Sequence, residues 1–111
     1  MPAGSSGVMK PYLPVGGLVA AGFDASGAYL LTITHSGRGV FSTNTWERVA
    51  RDVAPAYPKA GLGIGIGPIA GQSICVTEMN YQRGSMRLSS PDGRITLHCE
   101  SSGIEVEVQD D

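Results

Sequence analysis

Asp24-Ala25-Ser26-Gly27-Ala28-Tyr29-Leu30-Leu31 and Ser90-Pro91-Asp92-Gly93-Arg94-Ile95-Thr96-Leu97 carry the deciding pattern: each opens with turn-forming residues closed by glycine and runs straight into strand formers. Ten positions beyond each closing glycine stands a second glycine preceded by serine, Ser36-Gly37 and Ser102-Gly103. Superposing Gly27 on Gly93 places Leu31 on Leu97, Ser36 on Ser102 and Val40 on Val106 without a gap. The chain therefore contains an internal repeat of two hairpin units. Its 16 glycines and 7 prolines over 111 residues favour short strands and turns over long helices. The expected fold is all-β, two antiparallel meander units packed as a small sandwich or open barrel.

The first unit can be read strand by strand. Tyr29 to Thr34 is rich in β-branched and aromatic residues, His35 to Arg38 turns the chain, and Gly39 to Ser42 returns. Alternation puts Tyr29, Leu31, Ile33 and Val40 on one face and Leu30, Thr32 and Phe41 on the other, so both faces are apolar and the pair belongs in the interior. Asn44 to Val53 reads two ways. Trp46, Val49, Ala50 and Val53 fall at helical spacing behind an Asn44/Glu47 capping pair, which suggests a short helix near 45–53; the preferred reading is the last strand of the unit. Trp46 is expected in the core.

In Gly61-Leu62-Gly63-Ile64-Gly65-Ile66-Gly67-Pro68 glycine alternates with aliphatics, which puts the two sets on opposite sides of an extended chain and requires the glycine side to lie close to something. The run lacks the Lys-Ser/Thr of a phosphate loop and ends in Pro68, so no nucleotide cofactor is implied. The last third forms a three-stranded meander. Pairing 89 with 94 sets Leu88 against Ile95 and Met86 against Leu97, and pairing 99 with 104 sets Val106 against Leu97 and Val108 against Ile95. The opposite face then holds Ser85, Arg87, Arg94, Thr96, His98, Glu105 and Glu107.

Residues 1–14, with three prolines and no periodicity, are expected to be a flexible N-terminal arm, and 15–111 a single β domain. Net charge is −2, with five basic and three acidic residues in 1–59 against three and seven in 60–111. Basic residues scattered among acids do not suit nucleic-acid binding. No apolar run approaches the roughly 20 residues of a membrane-spanning helix, and no basic-then-apolar leader opens the chain. The expected location is cytoplasmic, with Cys75 and Cys99 reduced.

Gly22-Phe23-Asp24-Ala25-Ser26-Gly27-Ala28-Tyr29-Leu30-Leu31-Thr32, Gly39-Val40-Phe41-Ser42-Thr43-Asn44-Thr45-Trp46-Glu47 and Ser90-Pro91-Asp92-Gly93-Arg94 resemble blade units of WD-like β-propellers over about half of the chain. The Gly-His and Trp-Asp pairs of that class are absent, and two units are too few to close a ring. The resemblance implies meandering antiparallel sheets whose edges are covered by packing or by association, and a homodimer is the expected assembly.

The predicted register lines up Ser85, His98 and Glu105 in one row, the order an acyl-transfer triad would use. Side chains standing side by side on a sheet do not converge, and no nucleophile elbow surrounds Ser85, so no catalytic residue is assigned and a small hydrolase is the alternative. His98 and Cys99 point to opposite faces of one strand, which argues against a metal site. The preferred reading is a non-enzymatic protein-binding or assembly module, a bacterial adaptor or a neutralising partner, with Tyr81, Arg83, Arg87, His98, Glu105 and Glu107 as candidate contact residues.

Overall fold

The computed structural model describes residues 8–9, 11–53, 57–80 and 82–109. In chain order the strands are β1 (Val8–Met9), β2 (Tyr12–Leu13), β3 (Leu18–Phe23), β4 (Tyr29–Thr34), β5 (Gly37–Ser42), β6 (Arg48–Asp52), β7 (Leu62–Ile64), β8 (Ser73–Cys75), β9 (Thr77–Glu78), β10 (Ser85–Ser89), β11 (Ile95–Glu100) and β12 (Gly103–Gln109). One 3-10 turn, Gly67–Ile69, lies between β7 and β8. The central sheet has the order β9-β3-β4-β5-β6, and a second sheet runs β10-β11-β12-β1 with β2 also beside β12. Strands β7 and β8 form a separate hairpin. Every pairing is antiparallel, so the fold is all-β as the composition predicts.

The central sheet is covered on both sides. Leu30 and Phe41 face the C-terminal sheet and join Leu97, Ile104 and Val106 in one core. Leu31, Ile33 and Val40 face the other way, where Ile69 and Ile74 of the 61–76 segment close over them. The alternation read in β4 and β5 is the one the structure uses, with Leu31 opposite Val40 and Leu30 opposite Phe41. All six residues of β3 are buried. A bulge between Leu18 and Ala20 sends Leu18, Ala21 and Phe23 into the first core and Val19 and Ala20 into the second.

The repeat is a repeat of turns. Asp24 and Ser90, each only 6% exposed, occupy equivalent corners. At the first, the Ser26 hydroxyl donates to Asp24 Oδ2 at 2.7 Å and the Tyr29 amide to Asp24 Oδ1 at 3.0 Å. At the second the partners exchange chemistry: the Ser90 hydroxyl donates to Asp92 Oδ1 at 2.6 Å and the Ile95 amide to Ser90 Oγ at 3.1 Å. In both, the backbone closes from the corner residue to the fifth residue beyond it, Asp24 to Tyr29 and Ser90 to Ile95, and the glycine has a positive φ, 77° and 78°.

That longer turn corrects one expected register. Ser89 pairs with Thr96, not 94, so Leu88 sits opposite Leu97 and Met86 opposite Cys99. The slip is of two residues, which keeps each side chain on its expected face. The β11–β12 pairing is as read, with Leu97 opposite Val106, Ile95 opposite Val108 and Cys99 opposite Ile104.

Within 45–53 the chain forms no helix and is strand over Arg48–Asp52. The Ser42 carbonyl accepts from the Trp46 amide at 2.8 Å, a single turn that mimics a helix start, but Trp46 takes a φ of 62° and the chain extends into β6. Trp46 packs half-buried against the first core. Of the expected 1–14 arm, residues 1–7 and 10 lie outside the described residues. The rest is docked: Met9 pairs with Val108, Tyr12 with Glu105, and Leu13, 4% exposed, with Ile104.

Gly22 lets the central sheet approach the chain at Cys75-Val76. A Cβ there would run into the Cys75 carbonyl oxygen and come 2.9 Å from Val76 Cα, both backbone atoms that cannot swing aside. Gly22→Ala is therefore expected to lose about 2 kcal/mol or more in urea denaturation. Gly16→Ala, with open space around the added carbon, should stay within about 0.5 kcal/mol of the parent. Equal midpoints for the two variants would contradict this packing.

Candidate protein-contact surface

The glycine comb turns an ordinary hairpin inside out. A Cβ at Gly63 would stand 2.8 Å from Ile33 Cδ1 and 3.2 Å from Leu31 Cδ2, and one at Gly65 would meet the Ile69 carbonyl. Gly67, with a φ of 61°, lies against the Ala50 methyl. Only hydrogen fits at these contacts, so glycine faces the core. The alternating side chains Leu62 and Ile64 are consequently thrown outward, 41% and 49% exposed.

Polar contacts and one close backbone approach place other apolar side chains near this edge. Arg38 holds Asp52 through Nη2 at 2.6 Å and Nε at 3.1 Å, and its Nη1 donates to the Ile64 carbonyl at 3.1 Å, which ties β7 to the β5–β6 pair. Val53, 74% exposed, follows Asp52 and runs beside Gly37, whose added Cβ would lie 2.8 Å from Val53 Cα. Tyr57, 56% exposed, bonds His35 Nδ1 through its hydroxyl at 3.2 Å, with the rings edge to face. Val53, Tyr57 and Ile64 thus lie near the end of the central sheet where the β4–β5 turn meets β6, and Leu62 projects from the same hairpin strand as Ile64, farther along the sheet beside Cys75.

The candidate residues read from the sequence lie elsewhere, on the polar face of the C-terminal sheet. Arg87 pairs with His98, which pairs with Glu105 on its other side. Ser85 is opposite Glu100, two positions away, so the expected Ser85-His98-Glu105 row does not form; the buried Ser90 turn displaces it. By the same shift Thr96 stands between Ser89 and Glu107, and Arg87 stands beside His98. His98 leans diagonally, its Nε2 3.6 Å from Glu107 Oε1, with both side chains about half exposed. Such a pair adds little to stability.

A hollow of about 740 Å³ opens where β9 and β10 meet at the Asn80–Ser85 bridge. It gathers Arg83, Arg87 and His98 with Glu78 and Glu100, while Glu105 and Glu107 stand outside it; Tyr81 lies outside the described residues. Charges of both signs line it. Cys99 backs onto the hollow, and burial pushes its thiol up to about 12. Cys75 is exposed on β8. No family model, curated protein or solved structure matches this chain. No helix among the described residues is long and apolar enough to cross a membrane.

The two thiols should separate cleanly in reactivity. Iodoacetamide at pH 8 is expected to label Cys75 in the native protein and to reach Cys99 only after unfolding, because a buried, neutral thiol is a poor nucleophile. Mass spectrometry of Cys75→Ser should show no native labelling. Rapid modification of Cys99 in that variant would contradict the packing of β11.

Proposed function

We propose that this chain is a non-enzymatic protein-binding or assembly module, its partner being another protein or a second copy of itself. The observation that carries the reading is the outward set of Val53, Tyr57, Leu62 and Ile64, held on a rigid frame by the glycine contacts and the Arg38–Asp52 pair. Large apolar side chains left 41–74% exposed gain on being covered, at roughly 25 cal/mol per Å² of apolar area buried. Tyrosine beside aliphatics is the composition that anchors protein contacts. Arg83, Arg87, His98, Glu105 and Glu107 offer a mixed-charge face, better suited to orienting a partner than to holding it. Two unlinked thiols fit a reducing compartment, and we place the chain in the cytoplasm.

Leu62 and Ile64 can be changed without touching the core. The parent protein is expected either to retain a protein through gentle affinity purification or to sediment as a dimer, and Leu62→Asp with Ile64→Asp should abolish that association at an unchanged urea midpoint. A parent that sediments as a monomer and retains no macromolecule would overturn the reading, as would association indifferent to the double substitution.

A further inference from the structure

A second groove lies on the opposite side of β6, and its walls are charged. It runs between the Pro14–Gly16 segment and β6, has a volume of about 260 Å³, and is floored by Thr32, Gly39 and Phe41. Arg48 and Arg51 both line it, although residues three apart on a regular strand point to opposite faces. The bulge explains their agreement. Between Val40 and Phe41 the register shifts, so Arg48 pairs with Phe41 and Arg51 with Gly39, two residues that share a face of β5.

The floor is bare because of Gly39. A Cβ there would lie 3.1 Å from Thr32 Oγ1 and 3.4 Å from Arg48 Cδ, so any side chain would press on the arginine stem. The Thr32 hydroxyl is spent on the Gly39 carbonyl at 3.2 Å and Arg38 on Asp52, which leaves Arg48 and Arg51 as the cationic donors available in the groove. Asp52, the acid lining it, is held by Arg38, and Arg48 and Arg51 have no ion-pair partner among the described residues. Three arginines against one aspartate leave a local charge of +2 in a chain of net charge −2.

We infer that this groove binds the carboxylate side chains of an extended acidic peptide, with Arg48 and Arg51 as the contacts. Planar guanidinium groups match carboxylates through paired N–H donors. The groove runs beside β6, the edge strand of the central sheet, so an extended segment suits it, and the exposed Val53, which follows β6 and lines the groove, can meet an intervening apolar side chain. Long polyanions are disfavoured, since residues 60–111 carry seven acidic against three basic residues. Val53 borders both surfaces, but Arg48 and Arg51 are separate from Leu62 and Ile64, which project from the hairpin that covers the other face of the central sheet.

The test uses fluorescence anisotropy with a labelled peptide of four Glu-Val repeats and its Gln-Val counterpart. The acidic peptide should bind the parent, weaken with added salt, and lose at least about tenfold in affinity to Arg48→Gln with Arg51→Gln, while Arg83→Gln with Arg87→Gln and Leu62→Asp with Ile64→Asp bind as the parent does. Absence of binding, equal binding of the Gln-Val peptide, or indifference to the Arg48/Arg51 change would overturn the inference. Displacement by submillimolar inorganic phosphate would overturn it in favour of a phosphate site. Retained peptide binding in the Leu62/Ile64 variant keeps this inference separable from the proposed assembly surface, which can fail independently.

Discussion

A sheet buried on both faces governs this molecule. Leu30 and Leu31 are successive residues with no exposure, one in each core, so β4 is stable only while the C-terminal sheet covers one side and the 61–76 hairpin the other. Such a strand cannot be a surface meander. Neither outer layer buries its own apolar face without the centre, and the two must dock together, as small domains with limited core demand. Buried polarity is accommodated within the sheet: Thr32, 2% exposed, gives its hydroxyl to a neighbouring strand carbonyl, and no buried side-chain polar atom among the described residues lacks a partner.

Close approach to that centre is what the glycines provide. Gly22, Gly63, Gly65 and Gly67 each stand where a Cβ would meet a neighbour, and together they bring the hairpin onto the sheet at backbone distance. The consequence is functional as well as structural. Because the inward positions are glycine, the outward ones carry the aliphatic mass, and Leu62 and Ile64 are presented where most hairpins present polar residues. The open β6 edge is treated differently: its bulge spoils it as a template for strand addition while turning two arginines into the adjacent groove.

Much of this is legible in the residues. Alternation in Tyr29–Ser42 gives both faces of the central hairpin because each face carries large apolar side chains, Leu31, Ile33 and Val40 on one and Leu30 and Phe41 on the other, and the Ser101-Ser102-Gly103 turn is short enough to fix the β11–β12 register. The β10–β11 register is harder. It depends on whether Ser90 ends a strand or folds inward to accept the Ile95 amide, and Asp24, its counterpart in the repeat, is the only sequence sign of the inward choice. The displaced Ser85 row follows from that one hydroxyl. The Arg48–Arg51 groove left no periodic trace, since a bulge breaks the period on which such readings rest. The outward aliphatics of the glycine comb were readable as one face of an alternating strand, but not as the exposed face, which only the contacts of Gly63 with Leu31 and Ile33 decide.

Amide hydrogen exchange tests the two-sided burial most directly. The amides of Leu30 through Ile33 in β4 should exchange last and together, through global unfolding alone, while those of Ser85–Ser89 at the sheet edge exchange through local opening. Amides in β4 that exchange as fast as those of β10 would contradict a centre clamped by two layers.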